Sequence, residues 1–260
     1  MKKKNKNILI LAPHPDDEVV GTCAIIKRGL ELGQRFYIFF MTNGVISREE
    51  MWFFEKKKYS RKLKKRLSEM KRAVKYLGIK KYYLQNIPSR SLKMHIVKTI
   101  NKIKFIIQNH NITTIFTPAY EGGHQDHDVA NFMASKFIKQ LNVYEFAEYN
   151  NFGGKSVSNT FFGEDLNEEI LTLNDKEIFF KKKMLSIYKS ETKNLGHIKV
   201  VRETFRKLVS YDYSQRPHEG KLFYERFNLF SWHPRVDGTS PEVVCKILKN
   251  IRFDDVFKAN

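Results

Sequence analysis

Apolar positions in the first half of this chain alternate between two rhythms. Ile8-Leu9-Ile10-Leu11-Ala12 is almost uninterrupted, and Arg35 to Thr42 is dense in aromatics and Ile. Continuous apolar runs of that length predict strands buried on both faces. Shorter runs at Lys81 to Leu84, Thr113 to Thr117 and Val143 to Tyr149 predict three more. Between them the apolar period lengthens to that of a helix. Glu18 to Leu32 keeps it until Gly33, and Glu49 to Leu77 keeps it until Gly78. The second stretch is so polar over Lys56 to Lys65 that it leaves room for two helices. Leu92 to Gln108 places Ile96, Ile100, Ile103 and Ile107 on one face, and Val129 to Ile138 does so with Val129, Phe132, Met133 and Phe137. Pro118 to Asp126 reads as a loop.

Strands separated by helices predict an α/β fold: a mainly parallel, Rossmann-like sheet flanked by helices, formed by residues 7 to 150. Beyond Asn150 the pattern weakens into a less regular C-terminal segment (151–260). It contains a basic helix at Asp175 to Ser190 and an irregular aromatic stretch at Ser210 to Arg235. No repeat or linker divides the chain, so one domain over 1–260 is expected. In such sheets, sites form at the carboxyl ends of strands.

Composition changes this picture little. With 42% hydrophobic and 13% aromatic residues among 260, the chain is not of the disordered class. Cys23 and Cys245, far apart and in apolar stretches, read as buried reduced thiols. The lysine-rich start is followed by too short an apolar run for a secretory leader, and no run approaches the roughly 20 apolar residues of a membrane span. A cytoplasmic protein is expected, with peripheral membrane contact left open. Charge matters more. Lys and Arg number 47 against 28 Asp and Glu, a net +19, with dense runs at Lys56 to Arg66 and Lys181 to Lys183. That balance fits a solvated surface as well as an anionic partner: nucleic acid, lipid surface or phosphorylated sugar. No helix-turn-helix or RNP-like pattern supports nucleic acid.

Two clusters carry chemistry, each directly after a predicted strand. His14-Pro15-Asp16-Asp17-Glu18 follows the first, and Gly122-Gly123-His124-Gln125-Asp126-His127-Asp128 follows the fourth. Imidazoles with nearby carboxylates at converging strand ends point to a metal site. A two-histidine, one-carboxylate set suits Zn²⁺ with an open position, and Fe²⁺ as the second candidate.

The segment Ala12 to Gly21 resembles the AHPDDE motif of the LmbE/PIG-L family of zinc-dependent N-deacetylases. His124-Gln125-Asp126-His127 resembles that family's HPDH motif, with Gln125 in place of Pro. Thr42-Asn43-Gly44 is similar to its TDG turn, Arg66-Leu67-Ser68-Glu69 to its R-x-x-E helix, and Tyr224-Glu225-Arg226-Phe227, more distantly, to its YAExF segment. Where the family often has Pro-Asp, this chain has Pro88-Ser89, and Thr22-Cys23 stands in place of a Gly pair. The resemblance implies His14, Asp17 and His127 as zinc ligands and Asp16 as general base. It implies His124 as a cation that stabilises the oxyanion and protonates the leaving amine, and Asp126 as the group that orients a histidine. The implied substrate is an N-acetylglucosamine-type compound or glycoconjugate, linked to inositol, malate, lipid or another sugar, or an antibiotic intermediate; the net charge adds phosphorylated forms. Arg66 is a candidate substrate contact; the competing expectation is a helix-surface charge paired with Glu69. A different class of function, a basic module binding nucleic acid or anionic membrane beside a non-catalytic metal site, stands as the alternative.

Overall fold

A computed structural model describes residues 6–163, 167–225 and 237–251. Its elements run β1 (Asn7–Ala12), α1 (Asp17–Val20), α2 (Cys23–Glu31), β2 (Arg35–Phe40), α3 (Phe53–Lys56), α4 (Tyr59–Leu77), β3 (Lys81–Leu84), α5 (Ile96–His110), β4 (Thr114–Pro118), α6 (Gln125–Ser135) and β5 (Asn142–Phe146). There follow β6 (Tyr149–Asn150), β7 (Val157–Ser158), β8 (Glu169–Thr172), α7 (Asp175–Leu185), α8 (Thr192–Leu195), β9 (Arg202–Lys207) and α9 (Pro241–Asn250).

The seven-stranded sheet has the order β3-β2-β1-β4-β5-β9-β8, parallel from β3 to β5. The unbroken apolar run of β1 has a direct cause. Leu9 and Leu11 enter a core with α5, α6 and α9, while Ile8, Ile10 and Ala12 enter a second core with α2, α4 and α7. Order reverses at β1, whose neighbours are β2 on one side and β4 on the other. A crevice forms at such a switch point, and the two histidine-bearing segments follow β1 and β4.

Several expectations need correcting. The helix expected over Glu18 to Leu32 is broken into α1 and α2. Gly21 lies at the break against Phe146, and a Cβ there would overlap that ring. The region Glu49 to Leu77 is indeed two helices. α6 starts at Gln125, not Val129, so Asp126 and His127 lie on its first turn and His124 is its N-cap. The C-terminal segment is more regular than its sequence suggests: β9 pairs antiparallel with β5, and β8 with β9. Of Tyr224-Glu225-Arg226-Phe227, the last two lie outside the described residues.

Lys181 explains why β9 is hard to recognise in the sequence. Its basic run suggests a charged surface, yet it is fully buried and donates to Val20 O at 2.7 Å and Glu203 Oε1 at 2.8 Å. Glu203, in β9, also accepts from the first amides of α2, Ala24 and Ile25. A buried ion pair thus replaces the apolar residues by which an inner strand is recognised. Lys181→Met is expected to destabilise the protein by about 3–5 kcal/mol, because it leaves Glu203 buried without its cation. Denaturant unfolding monitored by circular dichroism reads this, and a loss under about 1 kcal/mol would sink it.

Candidate metal centre

The chain turns sharply after β1. Met41 N–H donates to Ala12 O, and Thr42 donates to Pro13 O through both its amide and its hydroxyl. Asp16 then takes φ 136°, ψ −27°, a region disfavoured for any residue with a Cβ. Such a conformation costs of order 1–3 kcal/mol and persists only where its surroundings impose it. Two contacts hold it: its amide donates to Glu18 Oε2 at 2.9 Å, and its Oδ2 pairs with Arg66 Nη2 at 3.3 Å. Gly44 makes room for that arginine, since a Cβ there would stand 2.7 Å from both Arg66 Nε and Pro15 Cδ.

This turn brings His14 and Asp17 against His127. His14 Nδ1 lies 3.3 Å from His127 Nε2, Asp17 Oδ2 3.4 Å from His14 Nδ1, and Asp17 Oδ1 3.4 Å from His127 Nε2. All three residues are buried. A tetrahedral ion with bonds of about 2.0–2.1 Å sets its ligand atoms about 3.3–3.4 Å apart. The donor triangle therefore already has the dimensions such an ion requires. His14, His124 and Asp126 also cluster, but their donors are taken. Asp126 Oδ2 bonds His14 Nε2 at 3.0 Å and accepts from Arg90 N, Asp126 Oδ1 accepts from Leu92 N, and His124 Nδ1 accepts from Asp126 N.

Asp126 thus reaches both histidines, binding the far nitrogen of His14 with its carboxylate and His124 with its amide. The Ser89 hydroxyl reaches Asp126 Oδ2 at 3.5 Å. Glu148, just past β5, is absent from the residues the sequence singles out. It is fully buried, its Oε2 stands 3.4 Å from His127 Nδ1, and neither oxygen has a hydrogen-bond partner. A carboxylate two residues past a buried strand is the available signal, by the same strand-end rule that locates the other clusters. Tyr149 places its ring edge on His127, and His197 packs against Tyr149.

Arg66 is neither a surface charge nor a partner of Glu69. It is buried, pairs with Asp16 and Glu191, and donates to Ser190 Oγ, while Glu69 accepts from Ser190.

Protonation follows from burial and neighbours. Burial opposes the His14 cation, but Asp17 and Asp126 outweigh it and lift His14 to about 10. Burial also opposes the Asp17 and Asp126 anions, yet the histidines hold both well below the carboxylate range. Burial raises Asp16 to about 7 against the pull of Arg66. Burial, then His14, keeps His124 well below the ordinary histidine value. Since its Nδ1 accepts from a backbone amide, the neutral ring carries its proton on Nε2. Its side chain, 20% exposed against 9% or less for its neighbours, is the one most open to solvent.

A model of the GlcNAc-PI de-N-acetylase family, PIG-L, matches residues 9–138. No curated protein sequence matches the chain. Among solved structures, a deacetylase of teicoplanin biosynthesis superposes with TM-score 0.62 at 14% identity, covering 80% of this chain and 99% of that one. N,N'-diacetylchitobiose deacetylase from Pyrococcus horikoshii gives 0.55 at 18%, covering 79% and 85%. GalB, the 4-carboxy-2-hydroxymuconate hydratase of Pseudomonas putida KT2440, gives 0.52 at 13%, covering 79% and 97%. At these identities the likeness concerns the fold, which deacetylases share with a hydratase.

Proposed function

Since the chain belongs to the GlcNAc-PI de-N-acetylase family, we propose that it is a metal-dependent N-deacetylase that hydrolyses the acetamide of an amino-sugar compound. The observation that carries this reading is the donor triangle of His14, Asp17 and His127. Those three residues would hold the ion, Zn²⁺ first and Fe²⁺ second. When bound, it would polarise the acetyl carbonyl and make the attacking water more acidic.

The chain's own groups divide the rest. Asp16 takes a proton from the attacking water as the water oxygen bonds to the carbonyl carbon. A base near 7 suits this at neutral pH. His124 donates its Nε2 hydrogen to the carbonyl oxygen as negative charge develops there, a contact worth roughly 10²–10³ in rate. As the carbon–nitrogen bond breaks, Asp16 returns its proton to the leaving nitrogen, giving the free amine and acetic acid. The backbone amide bonded to His124 Nδ1 leaves that ring one hydrogen, on Nε2, for the carbonyl oxygen, and both transfers are therefore assigned to Asp16. Asp126 fixes the His14 ring by its hydrogen bond, and Arg66 acts on the reaction through Asp16.

The test is acetate release by metal-loaded protein from a panel of N-acetylglucosamine compounds, soluble, phosphorylated and lipid-linked. Release from at least one, abolished by chelation and restored by metal, is expected. Protein that carries stoichiometric metal yet releases acetate from none of them overturns the reading.

A further inference from the structure

The basic run Lys56 to Arg66 plays no part in that chemistry apart from Arg66, and its placement is informative. α4 buries Met70, Ala73, Val74 and Leu77 against the sheet. Its opposite face carries Arg61, Lys64, Lys65, Lys71, Arg72 and Lys75, all exposed, and the helix's one acid, Glu69, is buried. The water-facing side of this 19-residue helix is thus of one sign along about 28 Å. At its N-terminal end, beside Lys57 and Lys58, Phe53 is 79% and Phe54 54% exposed. Trp52 stacks on Phe54 at 5.9 Å, and Phe53 meets Phe54 edge-on at 5.3 Å.

We propose that this aromatic tip and basic helix face form a docking surface for an anionic lipid bilayer. Each half has its physical counterpart there. Aromatic rings settle at the level of the lipid headgroups, and clustered Lys and Arg are drawn to anionic leaflets. The apolar side of α4 is already covered by the sheet, so the lysines face headgroups and only the tip inserts. Adjacent phenylalanines projecting from a four-residue helix form a wedge. Single-stranded nucleic acid is instead bound by a series of stacking platforms along a groove. Among the described residues no helix is long and apolar enough to cross a membrane, and the contact proposed is a peripheral one. Arg66 lies two turns into α4, about 10 Å from Tyr59, and touches Asp16. Arg66 faces the sheet, on the side of α4 opposite the docking face, so the crevice lies about one helix diameter, roughly 10 Å, behind the lipid surface.

Vesicle sedimentation of the intact chain tests it, with phosphatidylcholine vesicles against vesicles that also contain phosphatidylserine. Binding to the anionic vesicles alone is expected, weakening with added salt. K57Q/K58Q/R61Q should reduce that binding about 100-fold, at roughly fivefold per charge. F53S/F54S should reduce it at least about tenfold. Both variants should keep the wild-type melting temperature and wild-type turnover of a soluble N-acetylated sugar. Equal affinity for both vesicle types, or F53S/F54S binding anionic vesicles as well as wild type, overturns the proposal. So does tighter binding of a short single-stranded RNA than of the vesicles, which would assign the face to nucleic acid. Because soluble-substrate turnover is read separately, failure of docking and failure of the deacetylase reading are distinguishable.

Discussion

His127→Ala is expected to abolish both metal retention and acetate release, with kcat/KM falling by more than about 10³-fold. The size follows from the geometry. His127 Nε2 is 3.3 Å from His14 Nδ1 and 3.4 Å from Asp17 Oδ1, so deleting the ring removes one corner of a three-donor set. Two donors do not hold a divalent ion against water at catalytic concentrations. The comparison variant is Glu148→Gln, which keeps every donor and alters only the group behind His127. Loss of such a supporting carboxylate typically costs about 10–100-fold. Metal content by elemental analysis and thermal melts with added Zn²⁺ separate the two. Wild type and Glu148→Gln should be stabilised by the ion, because ligand binding to the native state raises its stability, and His127→Ala should not. A His127→Ala protein that retains stoichiometric metal would refute the ligand assignment.

These residues are legible in the sequence because their chemistry is local along the chain. His14, Asp16 and Asp17 sit on one turn, His124, Asp126 and His127 on another, and each turn ends a strand whose burial is written in its composition. The parallel sheet follows from the same alternation of strand and helix. What the sequence does not disclose are relations formed across the chain. Glu148 belongs to no motif, and its place past a strand end points to His127 only once β5 lies beside β4. Arg66 has the spacing of a surface residue paired with Glu69, and only packing of α4 against the first turn shows that it faces Asp16 instead. β9 reads as polar because its buried Glu203 is matched by Lys181, a partner 22 residues away in sequence. In each case the signal is a charge whose counter-charge is supplied by another element.

Asp16→Asn carries the second large effect and separates the reaction from the metal. The amide has nearly the shape of the carboxylate and can hold the same backbone conformation, so the φ 136° turn and the donor triangle should persist. Metal content is therefore expected to match wild type. Turnover is expected to fall about 10²–10⁴-fold, because an amide neither accepts the water's proton nor returns one to the leaving amine. The pH profile adds the sign. The active form is the carboxylate, so wild-type activity should be lost as pH falls through the value of Asp16, which burial raises to about 7 against the opposing charge of Arg66. Asp16→Asn should lose that acid limb altogether. Arg66→Gln should move it to higher pH, since the cation that favours ionised Asp16 is gone, with KM little changed. If Arg66 also holds the substrate, the same variant raises KM in addition. KM therefore decides whether the arginine that approaches Asp16 to 3.3 Å acts on the base alone or on the sugar as well.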